Sequence, residues 1–204
     1  MVILPRWIAL VKSCGIQSTN NMNPELEKQL VKDYPILFKF HGGDPKETCM
    51  AWGCEHDDGW FDLLKNLCDY VNAICRHKLM VKYKDDYVRT EEEKESNYAH
   101  IEGPSIEFTQ VKEKFAGLRI YYSMHHDVPE EQIAKLDEKS YDKEYNKVLD
   151  EIRHVVSYTE FLSCRTCEVC GEKGRVYRDG WWKTLCPKCA VDQKRDNSHI
   201  GELL

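Results

Sequence analysis

No stretch of this chain is long and apolar enough to span a bilayer, which takes about 20 apolar residues. The opening "MVILPRWIALVKSCG" is only briefly hydrophobic, and it lacks the small-residue cleavage pattern of a secretory signal. Also missing are a Gly-x-Ser-x-Gly nucleophile elbow, a glycine-rich phosphate loop ending in Lys-Ser/Thr, and a dinucleotide fingerprint. The chain thus lacks familiar signatures of hydrolases, nucleotidases and dehydrogenases. A basic balance is missing too: 29 Lys and Arg face 35 Asp and Glu, a net charge of −6. Affinity for phosphate comes largely from Lys and Arg, so the chain as a whole is no general polyanion binder. No repeat or low-complexity array is present. These absences point to a cytoplasmic protein with no membrane partner and no recognisable catalytic set.

Cysteine, by contrast, is plentiful, with ten in 204 residues. In a reducing compartment, paired cysteines indicate metal and not disulfides. Cys167-x2-Cys170 and Cys186-x2-Cys189 stand fifteen residues apart, a spacing that suits zinc. A two-residue gap lets both sulfurs of a pair face one ion, and Gly171 permits the sharp turn of a knuckle. Between the pairs, "GRVYRDGWWKTLC" alternates around the turn signal Asp179-Gly180 and predicts a hairpin. Pro187 then suits the first turn of a helix. Knuckle, hairpin and a ligand pair at a helix start form a treble-clef arrangement. Four thiolates close the coordination shell, so one structural Zn2+ is expected, with no open position for catalysis. Cys164 leaves a second choice of first pair open, because "CRTCEVC" offers three cysteines at the same spacing.

This segment is also where positive charge gathers. From Cys164 to Arg195, eight basic residues face four acidic ones, +4 against −10 for the remainder. Arg175, Arg178, Lys183 and Trp182 are candidate contact residues for an anionic ligand or partner. Of Trp181 and Trp182, one is expected beneath the knuckles and the other outside.

The rest reads as α+β, with helices packed on a small antiparallel sheet or hairpin. The expected division is a body at 1–162 and a zinc module with C-terminal tail at 163–204. Residues 1–20 give an apolar start and a polar loop. Asn23 and Pro24 mark a helix start, and Pro35 ends that helix early. The strongest helical pattern runs through "DDGWFDLLKNLCDYVNAICRHKLM", with Trp60, Leu64, Leu67, Val71, Ile74 and Cys75 on one face. The acidic stretch 82–103 reads as a mobile surface loop. In "SIEFTQVKEKFAGLRIYYSM" the alternation predicts an antiparallel hairpin turning at Ala116-Gly117, with Phe115 and Leu118 inside. Lys112, Lys114, Arg119 and Tyr121 could contact bases or an anion there. A helix over Gln110–Phe115 is the alternative. After Pro129 the pattern predicts a long helix, broken near Ser140.

His41, Cys49, Cys54 and His56, with Asp57 or Asp58 nearby, could form a second, hydrolytic metal site. Their spacing is irregular, and an ordinary polar loop before a helix is the favoured account.

"DGWFDLL", "QVKEKFAGLRIYY" and "CEVCGEKG…GWWKTLCPKCA", in that order, resemble a group of small zinc-knuckle proteins of tailed bacteriophages, prophages and bacteria with no assigned activity. The resemblance covers roughly residues 34–191. It rests on Asp58, Gly59, Trp60, Lys112, Lys114, Phe115, Gly117, Leu118, Arg119, Tyr121, Trp182, Thr184 and Leu185. This chain has Ala116-Gly117 where a glycine pair is expected, and a final knuckle cysteine where some relatives carry histidine. The resemblance implies a phage setting, hence a host cell's cytoplasm. The leading functional expectation is a non-enzymatic protein that binds a host protein, such as a defence component. The alternatives are a nucleic-acid or nucleotide binder using the basic aromatic zinc module, and a metal-dependent hydrolase using the His41–Asp58 loop.

Overall fold

The structure is a computed structural model that describes residues 21–195; the expectations for residues 1–20 and for the tail beyond 195 lie outside it. The first helix, α1 (Pro24–Asp33), begins where the sequence places it: the Asn23 side chain accepts from the Glu25 amide, and proline occupies the first turn. It stops at Tyr34, ahead of Pro35, since the residue before a proline is pushed out of the helical region. The longer α2 (Phe61–Arg76) buries Leu64, Leu67, Cys68, Val71 and Ile74, the stripe that helical periodicity predicts.

The main sheet has three strands in the order β1 (Cys54–Glu55), β4 (Ser105–Lys114) and β5 (Gly117–His125), with β1 parallel to β4 and β4 antiparallel to β5. The hairpin therefore prevails over the helical alternative for Gln110–Phe115. Its turn is Phe115-Ala116, however, with Lys114 paired to Gly117. Both turn residues take positive φ, 54° and 63°, as a two-residue hairpin turn of matching twist demands. The turn thus falls one residue earlier than the sequence suggests. Leu118 is buried as expected, whereas Phe115 is 66% exposed.

The stretch 82–103 is not one loop. Strands β2 (Leu79–Lys82) and β3 (Tyr98–Ile101) pair antiparallel across it. Each alternates, with Leu79, Val81, Ala99 and Ile101 buried in the core. Four-residue runs set apart by an acidic connection carry too weak a period to stand out. The connection is tied down: Tyr87 stacks on Tyr83, and Glu93 accepts from the Tyr87 hydroxyl at 2.9 Å. Lys135 also reaches Glu93.

The predicted long helix is divided into α3 (Glu130–Ile133) and α4 (Glu138–Ser163). The break precedes Ser140: Asp137 caps α4 by accepting from the Ser140 amide, and Leu136 is buried in the gap. α4 lies against α2, β2 and β5. Its Glu160 and Ser163 side chains accept from the amides of Ile120 and Leu118, covering the open edge of β5. Among the described residues no helix is long and apolar enough to cross a membrane.

Candidate functional site

At the C-terminal end of α4 the chain turns into the first knuckle. The Gly171 amide donates to the Cys167 carbonyl and the Cys167 amide to the Glu172 carbonyl; Gly171 sits at φ 77°, a conformation glycine adopts without strain. Strands β6 (Arg175–Tyr177) and β7 (Lys183–Leu185) form the predicted hairpin. The short helix α5 (Pro187–Asp192) follows, with Cys186 as its cap and Pro187 in its first turn. Local structure thus carries the two cysteine pairs to one point.

The Sγ atoms of Cys167, Cys170, Cys186 and Cys189 all lie within 4.8 Å of one another. Cys170 is 3.6 Å from both Cys186 and Cys189. A tetrahedron with metal–sulfur bonds of about 2.3 Å has edges of about 3.8 Å, so the donor set fits a tetrathiolate metal centre. The separations are far beyond a disulfide bond. Three of the four cysteines are buried and Cys170 is half-buried. Burial pushes the Cys170 thiol up to about 12; a bound cation replaces the protons that such thiols otherwise keep. Cys164 is not a member: its sulfur turns to the Glu160 carbonyl at 3.7 Å. Four thiolates would fill the coordination shell of one tetrahedral ion.

The segments singled out in the sequence converge around this centre. The Gly59 amide donates to the Glu168 carbonyl at 2.7 Å, and the Trp60 indole N–H to the Thr166 carbonyl at 2.8 Å. A side chain at Gly59 would meet the Cys167 carbonyl oxygen at 2.1 Å, so the first knuckle lies directly on the Asp58-Gly59-Trp60 turn. On the other side, the Thr184 hydroxyl donates to the Ala116 carbonyl at 2.7 Å, and the Trp181 indole to Glu113 at 3.1 Å. The tip of the β4–β5 hairpin is thereby docked against β7.

Lys183 departs from its expected role. It is 4% exposed, and its ammonium is 2.9 Å from Asp57 and 3.9 Å from Glu168. It is a buried tie between module and body, not a contact residue. Burial outweighs Lys183 and holds the Asp57 carboxyl above its ordinary range; it pushes Glu168 up to about 7. Neither tryptophan lies beneath the knuckles, since Trp181 is 67% and Trp182 39% exposed. Tyr177 fills that place, packed with Leu185 and the cysteines. The alternation of "RVY" in the hairpin was the available signal for it.

The other candidates do not assemble. Among the described residues, no second group of metal-ligating side chains gathers within ligand distance. His41 faces Glu27, Cys49 is exposed and Cys54 is buried. His56 is buried, its Nδ1–H donating to the Asp57 carbonyl at 2.9 Å, and burial lowers its imidazole to about 4. His126 spends both ring nitrogens on Tyr141 and the Glu102 carbonyl. A serine–histidine–carboxylate group does occur at Ser123, His125 and Glu107, but both contacts fall on the same nitrogen, Nε2. A proton relay needs the carboxylate on one ring nitrogen and the nucleophile on the other, so this group is not one.

The predicted contact residues on the β hairpin do share a surface. Lys112 lies opposite Arg119, and Tyr121 opposite Gln110, on one face of the sheet. Lys112 Nζ is 5.6 Å from the Tyr121 ring centre and Lys114 Nζ 5.4 Å from that of Phe115. The Phe115 and Trp182 rings are 6.0 Å apart, and Arg178 sits 4.7 Å over Trp182. Arg175 instead turns inward along its own hairpin, to the Tyr177 hydroxyl. No family model matches this chain, and no curated protein or solved structure matches it either.

Proposed function

We propose that this is a non-enzymatic, cytoplasmic binding protein of phage type whose tetrathiolate centre holds zinc, and that it binds nucleic acid. Zinc is the ion that the cysteine spacing, the closed shell and the tetrahedral edges suit together. Its role is to fix the treble-clef-like module against the body and so hold the β4–β5 tip rigid.

The observation that carries the binding reading is a run of three ring–cation pairs, Tyr121 with Lys112, Phe115 with Lys114 and Trp182 with Arg178, the last two joined through their rings. Rings supply faces for bases and cations meet phosphates, a pairing that recurs in nucleic-acid-binding surfaces. The overall charge of −6 does not oppose this, because the field that a ligand feels near the surface is local. Fluorescence anisotropy of the zinc-loaded chain with labelled oligonucleotides tests it. Binding should be measurable at about 50 mM salt and weaken steeply by about 200 mM. Lys112→Glu combined with Arg178→Glu should abolish it; no binding to any oligonucleotide at low salt overturns the reading.

The host-protein reading is favoured by a separate feature. Trp181, 67% exposed and held by Glu113, lies beside this run as a fixed aromatic anchor of the kind that dominates protein interfaces. If a Trp181→Ser variant loses a captured host protein while oligonucleotides never bind, that reading replaces the first.

A further inference from the structure

We infer that the nucleic acid taken by this surface is single-stranded, held with its bases on Tyr121, Phe115 and Trp182 and its phosphates on Lys112, Lys114 and Arg178; this rests on the nucleic-acid reading above. Three observations carry it. The first is the exposure of the rings. In a duplex the base faces are stacked on one another and unavailable, so projecting rings gain nothing from it; an open strand offers every base face. Duplex readers usually place a helix or ribbon in a groove. In this module α5 has only six residues, and Cys189 and Ala190 within it are buried.

The second is spacing. Lys112 and Lys114 are two positions apart on one strand, about 7 Å. These two cations can therefore meet successive phosphates of one strand while the rings beside them take its bases. The ring-to-cation steps of 4.7 to 5.6 Å keep one base and one phosphate within reach at each step.

The third is the charged row across the sheet. Glu55 on β1 faces Lys112, and Lys112 faces Arg119; the carboxylate nearest Arg119 is Glu160, at 3.9 Å. The turn that fixes φ 54° at Phe115 also holds its ring outward, 66% exposed. A phosphate on this row adds a partner for Arg119, and a base on Phe115 uses the exposed ring.

The test compares a labelled oligothymidine, an oligouridine of the same length and a duplex of the same length, each with zinc-loaded full chain. The single strands should bind at least about tenfold tighter than the duplex, with log K falling against log salt at a slope of about −2 to −3 for three or four phosphates. Phe115→Ser and Tyr121→Ser, both at exposed positions, should each weaken single-strand binding by about tenfold. Quenching of tryptophan emission by the strand should disappear in Trp182→Ser and persist in Trp181→Ser. Preference between the two oligomers assigns the source to DNA or RNA. Equal affinity for duplex and single strand, lost on charge reversal, overturns this inference and leaves the nucleic-acid reading standing. Absence of binding to all three overturns both.

Discussion

Gly59→Ala is the most demanding probe of how the metal module is attached. Gly59 does not have positive φ, so its glycine is not required by backbone conformation. The need is steric: a Cβ would lie 2.1 Å from the Cys167 carbonyl oxygen and 2.5 Å from that of Glu168. Both neighbours are backbone and cannot swing away, so the knuckle must retreat by about 1 Å to reach ordinary contact. That movement breaks the bonds from the Gly59 amide to Glu168 and from the Trp60 indole to Thr166, worth about 1 kcal/mol each. Overpacking adds about 1–3 kcal/mol. The expected loss is therefore about 3–5 kcal/mol, a fall in Tm of about 10 °C for a chain of this size. Urea denaturation of the zinc-loaded protein reads the stability, and chelator competition reads the metal affinity, which should fall because Cys167 moves with the knuckle. Gly42→Ala is the contrasting control: it meets open space at φ 69° and costs only the backbone strain, about 1–2 kcal/mol. If Gly59→Ala is no more destabilising than Gly42→Ala, the docking described here is wrong.

Lys183→Met should cost about 3–5 kcal/mol in urea denaturation, because it strands Asp57 and Glu168 as buried carboxylates; adding Asp57→Asn and Glu168→Gln should recover most of it, and an unrecovered loss would refute the electrostatic account. His56 is held at about 4 by burial, against about 6.5 when unfolded. The unfolded chain therefore binds a proton that the native state refuses, and the His56 contribution to stability falls from about pH 6.5 down to about pH 4, by on the order of 3 kcal/mol. The Asp57 and Glu168 carboxyls, raised in the fold, contribute with the opposite sign, Glu168 across the same pH window, so the His56 contribution is read as the difference between wild type and His56→Gln; parallel pH profiles would refute it. Chelator competition should return one metal per chain, strongly weakened in Cys170→Ser and unchanged in Cys164→Ser; a loss in Cys164→Ser would mean that the ligand set has been misassigned.

What the sequence alone determined is local. The two Cys-x2-Cys pairs, the intervening hairpin and Pro187 bring four sulfurs together because spacing along the chain limits where each can go. The Asn23 cap, the stripe on α2 and the β4–β5 pairing are likewise set by neighbours within a few residues. Tertiary packing decided which side of each element faces inward. A hairpin turn shifted by one residue exchanges the faces of the side chains beside it, which is why Phe115 stands outside although alternation around Ala116-Gly117 places it within. Lys183 and Trp182 are adjacent in a short strand region that reads as uniformly basic and aromatic. Only the carboxylates of Asp57 and Glu168, the former contributed by a turn 126 residues away, draw Lys183 into the interior and leave Trp182 to the surface. The contact between Gly59 and the knuckle has no local signal at all, because the reason for that glycine is the backbone of another segment.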